Sequence, residues 1–435
     1  MRLYHRAIQW HGLQAVGEMG NEYSVPGFCY GDESMRWLMI ALAFLATVIN
    51  YLDRQTLSVA APLLRQEMNF GDIEYSRIVG AFMLAYTIMN GISGPVIDRL
   101  GTRWGYALCM FWWSGASEAH AFARSALSLG VCRFLLGMGE AGNWPAAVKV
   151  VGEWFPARER ALASGIFNSG AAVGAVAAPP LIAWLILRWG WQAAFLGVGL
   201  SGFVWLVLWM RIYHTPPEAA GEASAPPPPA WHVFRERFVW SLTLAKIFFD
   251  PVWYFYIFWF PQFLSSVHHF DLARIGLYGW IPFLTADAGN LAGGAFSAVL
   301  IRQGVSTPAA RKASFILFAG LMTSAIPAVL ASNAYLAIAF VSVATFGYTG
   351  CSANMLALPA DVYPKNVLAS IWGLASMGSG FGGMFFSLIT GWVVAHFSYK
   401  PVFFGFAVTP LVCVAILLFV SMPAGARYSQ LKRIG

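Results

Sequence analysis

The chain has 435 residues, 58% of them hydrophobic and only 11% charged, with a mean hydropathy of +0.61. An ordinary soluble domain carries about a quarter charged residues, so this composition excludes a soluble fold, which could not cover so much apolar surface. The net charge of +7 does not imply a nucleic-acid partner, because no folded basic module is visible.

Residues 1–35 form a polar extension that lacks the basic start, apolar core and small-residue cleavage site of a signal peptide. Met35 is an alternative start, since the membrane pattern begins immediately after it. Apolar runs of roughly 20 residues, enough to cross about 30 Å of hydrocarbon, then recur almost end to end. Spans 37–61, 75–97, 104–123, 126–150, 160–187 and 191–212 fill a first half, residues 36–212. Residues 213–237 are polar and contain Pro226 to Pro229, a run that favours extended, solvated backbone and reads as a cytoplasmic hinge linker. Spans 238–265, 273–301, 312–331, 334–357, 366–395 and 399–421 fill a second half, residues 238–422, and 423–435 form a cytoplasmic tail. The expected fold class is an all-α polytopic membrane protein of twelve transmembrane helices in two six-helix halves.

Lys and Arg are retained on the cytoplasmic side of a membrane. With both termini inside, only Arg65, Arg77, Arg124, Arg188, Arg274 and Lys400 fall outside, while most of the 27 basic residues fall inside. The five cysteines offer neither a disulfide framework nor a zinc spacing. No nucleophile elbow or phosphate loop is present in a suitable context, so no catalytic residue, metal or cofactor is expected. Gly137-x-Gly139-x-x-Gly142 matches a dinucleotide fingerprint only superficially, because it lies inside a predicted membrane helix with no preceding strand.

The chain repeats itself. Glu153-Trp154-Phe155-Pro156 followed by Ala161-Leu162-Ala163-Ser164 recurs about two hundred residues later as Asp361-Val362-Tyr363-Pro364 followed by Val367-Leu368-Ala369-Ser370. Trp191 and Phe195 are echoed in the same way by Tyr399 and Phe403. Parallel repeats of this kind, with a ligand held midway between halves that rock, are one recurring solution for alternating access.

Charges inside apolar spans are expensive, roughly 2.5–3.5 kcal/mol each even on the lenient insertion scale, and default to a functional reading. Asp53 and Arg54 lie in one span, Arg133 and Glu140 in another. Seven residues turn a helix to within about 20° of two full turns, so Arg133 and Glu140 share a face about 10.5 Å apart along the axis and can serve one cavity from two depths. The planar fork of an arginine matches a carboxylate, which makes Arg54 and Arg133 the candidate anion binders. Burial and a nearby arginine act oppositely on a carboxyl, which makes Asp53 and Glu140 the candidate proton carriers. The alternative, two internal ion pairs that only fix helix packing, stays open. Lys246 and Asp250, four apart, make a simple same-helix pair or read substrate hydroxyls, and Asp287 with Asn290 is similar.

The loop Gly94-Pro95-Val96-Ile97-Asp98-Arg99-Leu100-Gly101-Thr102-Arg103 resembles the signature loop of the major facilitator superfamily. Gly94 and Gly101 allow close approach and a tight turn, Asp98 can meet a helix N-terminus, and Arg99 and Arg103 stay inside. The corresponding stretch Gly294 to Lys312 keeps Arg302, Gly304, Arg311 and Lys312 but has lost the acidic residue, so a weaker latch is expected there. Asn50-Tyr51-Leu52-Asp53-Arg54 with Ala60-Ala61-Pro62, and Arg133-Phe134-Leu135-Leu136-Gly137-Met138-Gly139-Glu140-Ala141-Gly142-Asn143-Trp144-Pro145, narrow the resemblance to the anion:cation symporter branch, and Asp250 to Tyr256 looks most like its hexuronate members.

That resemblance covers residues 36–422 and implies proton symport of a small organic anion, a hexuronate or aldonate, across a bacterial inner membrane. It implies substrate and proton roles for Asp53, Arg54, Arg133 and Glu140, and marks Tyr51 and Tyr86 as ligand-facing. Trp253, Tyr254 and Tyr256 can stack on a sugar ring, as can Trp372 beside Ser376, although packing is the bland alternative for each. Drug export is disfavoured, because Gly170 and Gly174 are followed by Ala175 and the prolines of that span come later, at Pro179 and Pro180. Carriage of another organic anion, an aromatic acid or monocarboxylate, and a non-transporting receptor remain alternatives. The oligomeric state is open, with a monomer as the default.

Overall fold

In hydrocarbon a chain must satisfy its own backbone polar groups, and a helix does so segment by segment. The computed structural model describes residues 33–155, 160–214, 236–362 and 368–417. Most of the amino-terminal extension, the Pro-rich run of the linker and the tail lie outside the described residues, as do Pro156 and Tyr363 to Val367 of the repeated motif. The described residues are helical almost throughout: α1 (Glu33–Glu67), α2 (Asp72–Ala119), α3 (Ala126–Glu140), α4 (Asn143–Trp154), α5 (Arg160–Trp189), α6 (Trp191–Ile212) and α7 (Arg237–His268), then α8 (Leu272–Tyr278), α9 (Ile281–Arg302), α10 (Thr307–Met322), α11 (Ala325–Leu330), α12 (Ala334–Val362), α13 (Leu368–His396) and α14 (Tyr399–Ile416).

Among these residues nine helical stretches are long and apolar enough to cross a membrane. The predicted spans differ from the helices in instructive ways. Spans 75–97 and 104–123 are one element of 48 residues, α2, redirected at Gly101 by a φ of 76°, a value that favours glycine. Span 126–150 is broken into α3 and α4 around Ala141 and Gly142, so neither piece alone has the length of a span. The loop after α9 repeats the glycine device, with Gly304 at φ 89°.

Polar pins hold the first half together. Asn143 donates to Thr47 Oγ1 (3.2 Å) and accepts from the Tyr106 hydroxyl (2.7 Å), joining α4, α1 and α2. Gln55 reaches the carbonyl of Ala175 on α5 at 3.1 Å, and the Trp205 indole on α6 donates to the Leu42 carbonyl at 2.7 Å. Helix α5 lies directly on α1: a Cβ on Gly174 would stand 2.7 Å from the Val48 carbonyl oxygen and 2.8 Å from Tyr51 Cβ.

The two halves meet mainly at their predicted outer end. Arg65 on α1 pairs with Asp72 on α2 (2.8 Å) and donates to Gln262 on α7 at 2.6 Å. The Tyr75 hydroxyl donates to the Phe258 carbonyl at 2.6 Å, and its ring meets Trp259 edge-on at 5.0 Å. Helix α13 seats its glycines on small side chains of α2, Gly391 against Ser76 and Gly380 against Thr87. Beyond Thr87, among the described residues, no neighbouring atom lies within 4 Å of where a Cβ would sit on Gly91 or Gly94.

The α1–α5 contact yields a graded test. Gly174→Val should lower the unfolding free energy of detergent-purified protein by about 1–3 kcal/mol, the usual cost of overpacking. Gly165→Val, on the same helix with no neighbour within 4 Å, should leave the thermal midpoint close to that of the unsubstituted chain.

Candidate functional site

Helix α1 presents Asp53 and Arg54 at its middle, and the end of α3 brings Glu140 to meet them. Arg54 Nε donates to Glu140 Oε2 at 2.7 Å with both residues buried. The bond uses one edge of each group: Arg54 Nη2 and Glu140 Oε1 have no protein partner. Arg133 is turned toward α1, where its two terminal nitrogens lie 3.3–3.4 Å from the carbonyls of Asp53 and Arg54, and its Nε has no partner. Asp53 accepts from the Ser117 hydroxyl of α2 through Oδ1, while Oδ2 is unpartnered. The four charges therefore form one cluster with a single ion pair, not two pairs. Both terminal nitrogens of Arg133 are directed at the backbone of α1, whereas Glu140 meets the Arg54 side chain.

Aromatic rings enclose the charged end of Arg54. Its guanidinium carbon lies 4.6 Å from the ring centre of Tyr86, 5.3 Å from Tyr51 and 5.5 Å from Phe82, within cation–π range. The second half adjoins this enclosure: Trp253 of α7 lies beside the Tyr51 hydroxyl, and Tyr254 meets Met83 of α2 over Gly383. The Tyr254 hydroxyl also shares a 3.2 Å hydrogen bond with Ser379 of α13. Tyr51, Arg54, Tyr86, Trp253 and Tyr254, predicted from separate spans, thus converge.

Other predicted residues stand apart. Tyr256 is 1% exposed and packs against Phe255 and Phe403 of α14, because two residues on from Tyr254 the helix has turned about 200° toward the interior of its own half. It is not in the cluster. Trp372 and Ser376 are half-buried on α13, one or two turns toward the predicted inner end, and Lys246 lies 5.7 Å over the Trp372 ring.

In the signature loop, Asp98 pairs with Lys149 of α4 at 2.8 Å, and the residues leading into α13 lie outside the described residues. Arg103 donates to the Met210 carbonyl on α6 at 2.6 Å, Gly94 is partly covered, and Arg99 is exposed. The second-half loop is not left without a latch. Arg311 bonds Asp361 (3.1 Å), Ser297 (3.0 Å) and Asn354 (2.9 Å), so its acid comes from the end of α12 rather than from the loop.

Sequence reasoning missed Tyr348 of α12, whose hydroxyl donates to Asp250 Oδ1 at 3.1 Å and whose ring stacks on Trp253 at 5.4 Å. A signal existed: the offset that carries Phe155 to Tyr363 carries Glu140 to Tyr348, so the repeat places a tyrosine where the first half has its paired acid. Ser117 carried no comparable signal. Among the described residues no group of His, Cys, Asp and Glu could hold a metal ion.

Comparison with known proteins follows the same lines. Residues 43–306 match the family model of the Major Facilitator Superfamily. The chain is 34% identical over 398 residues to the hexuronate transporter of Escherichia coli K12, covering 87% of this chain and 92% of that one. It is 29% identical over 394 residues to a protein of the same organism named as a probable galactarate/D-glucarate transporter, covering 83% and 88%. A crystal structure of a bacterial homologue of the human lysosomal transporter Spinster, described as inward-facing and unoccupied, superposes with a TM-score of 0.71 over 93% of this chain and 98% of that one. At 20% identity that likeness is one of fold. The family match over more than half of the chain and the relative at 34% identity, joined to buried charges held between packed helical halves, show that this chain belongs to the major facilitator superfamily, as a multi-pass inner-membrane transporter and not an enzyme.

Proposed function

We propose that the protein imports a monoanionic sugar acid, a hexuronate or aldonate, by proton symport with alternating access. The observation that carries this reading is the buried Arg54–Glu140 pair, bonded along one edge only, boxed by tyrosines of α1 and α2 and adjoined by Trp253 and Tyr254 of α7. A guanidinium with an unused donor suits an incoming carboxylate, and flat rings with hydroxyls suit a sugar. The substrate class follows the relative named for hexuronate transport.

Charge logic links the proton to the substrate. A substrate carboxylate that takes over Arg54 leaves Glu140 as an uncompensated buried anion, which is costly enough to draw a proton. Asp53, with one oxygen bonded to Ser117 and one free, is the second carrier. Neutralised in this way, the site tolerates closure around its load. The contacts Arg65–Gln262 and Tyr75–Phe258 close the predicted outer end, while toward the other no described atom lies within 4 Å of a Cβ on Gly91 or Gly94, which fits an inward-open state.

Three outcomes are expected in proteoliposomes. Glu140→Gln and Asp53→Asn should each abolish accumulation driven by an imposed pH gradient while sparing substrate counterflow in at least one of them. Gradient-driven uptake by both would refute the proton assignment. Arg133→Ala should lose counterflow and binding together, because it removes the buried donor that ties α3 to α1 beside the Arg54–Glu140 pair; loss of such buried hydrogen bonds costs about 1–3 kcal/mol. Finally, with native cysteines replaced, bridging Arg65→Cys to Gln262→Cys with a short bifunctional thiol reagent should stop transport, and continued flux of the cross-linked protein would contradict the gate.

A further inference from the structure

We infer that Asp250 sets the charge of the substrate the site accepts: by compensating Lys246 it makes the second half a receptor for the uncharged, hydroxylated end of a sugar acid and excludes a second carboxylate. The inference deepens the proposed function and rests on its sugar-acid substrate.

The two halves treat their cations differently. In the first half Arg133 has no carboxylate partner, and Arg54 keeps a free donor beside Glu140. In the second half Lys246 Nζ sits 2.6 Å from Asp250 Oδ2, with both side chains largely shielded at 15% and 9% exposure. Among the described residues of α7, α12 and α13, Lys246 is the one Lys or Arg away from a helix end. It is therefore the cation available to a second carboxylate, and Asp250 already occupies it.

The placement of Asp250 is enforced from another helix. Tyr348 of α12 donates to its second oxygen at 3.1 Å, and the Tyr348 ring is held in a stack between Phe249 (4.5 Å) and Trp253 (5.4 Å). Trp253 adjoins Tyr51, so this stack connects Asp250 to the Arg54 enclosure. Helix stability is a weak reason for the pair, because a base four residues before an acid is the less favourable order against the helix dipole. A dianion bound through one end to Arg54 would present its other carboxylate to the second half, where Asp250 stands, and a like charge or an unsatisfied one is the usual means of excluding a competitor. A neutral ring oxygen or hydroxyl meets no such penalty and finds the remaining N–H donors of the Lys246 ammonium, while a substrate hydroxyl can also donate to the Tyr348 oxygen.

Galacturonate and galactarate differ at one end, where the second has a carboxylate, and make the matched probes. Uptake of labelled galacturonate by membrane vesicles is measured against unlabelled galacturonate or galactarate. Galactarate should compete at least about tenfold more weakly than galacturonate in the unsubstituted protein, and Asp250→Asn, which keeps the size of the side chain and an acceptor for Tyr348, should narrow that ratio about tenfold. Adding Lys246→Met to Asp250→Asn should restore the original ratio, an effect that a merely structural pair would not produce. An unchanged ratio in Asp250→Asn, or equal competition by both compounds in the unsubstituted protein, overturns the inference while leaving galacturonate transport standing. Absence of galacturonate uptake by the unsubstituted protein overturns the proposed function itself and this inference with it. Should Asp250→Asn not accumulate in the membrane, Lys246→Met alone decides: galactarate must compete no better than before, and a gain overturns the inference.

Discussion

The buried guanidinium of Arg54 is the constraint around which the site is built. An ionised group taken from water into a low-dielectric interior loses several kcal/mol of solvation even after relaxation, so it persists only with a counter-charge and further contacts. Arg54 has Glu140 at 2.7 Å and three aromatic faces within 6 Å, and those partners come from α1, α2 and the end of α3. Meeting the requirement therefore fixes how three helices of the first half sit relative to one another. Arg133 bonded to the carbonyls of Asp53 and Arg54, Ser117 bonded to Asp53, and Asn143 between Thr47 and Tyr106 extend the same polar seam. The second half faces it with a self-compensated ion pair and stacked rings, so the electrostatic demand lies on one side of the interface and the shape-selective surface on the other.

How legible this was depends on which interaction sets each feature. Span positions followed from length and apolarity, and the family loop from its glycine and charge spacing, because both are local properties. The breaks were hidden. Gly137, Gly139 and Gly142 mimic a nucleotide motif, yet a Cβ at these positions would lie 2.5 Å from the Phe82 carbonyl, 2.8 Å from Trp113 and 2.3 Å from Cys109, so the run lets the end of α3 sit between the two limbs of α2 on either side of Gly101. That use depends on a partner helix that spacing does not reveal. The acidic partner of Arg311 was missed for a similar reason: it was sought in the loop, where Asp98 stands in the first half, whereas Asp361 occupies the repeat position of Glu153.

The site residues divide along the same line. Asp53, Arg54, Arg133 and Glu140 stood out because charge in an apolar span is anomalous in any context. Their mutual arrangement was not readable, since helical phase on a single element cannot say that Arg133 will turn to the backbone of α1. Tyr256 was grouped with Trp253 and Tyr254 by proximity in the chain, and the helical turn between them takes it to Phe403 instead. Tyr348 could be found only through the repeat, which converts a tyrosine in an aromatic-rich chain into the counterpart of a paired acid. Symmetry carried information that composition did not.

The single-edged geometry of the Arg54–Glu140 bond also bears on why a carrier can release its load. A fork-to-fork arginine–carboxylate contact makes two parallel charge-assisted bonds and is among the strongest side-chain interactions. Were Glu140 to hold Arg54 in that way, an incoming carboxylate would have to break both bonds before gaining any. With Arg54 Nη2 and Glu140 Oε1 unpartnered, the resting pair is stable enough to keep the guanidinium buried but leaves a donor through which a substrate can begin to exchange. The same incompleteness favours the return step, because Glu140 on losing its proton needs to recover one bond, not two, to displace the departing anion. Transport requires affinities that differ between states and not a maximal one in either, and a half-made ion pair at the meeting of α1 and α3 keeps both within reach.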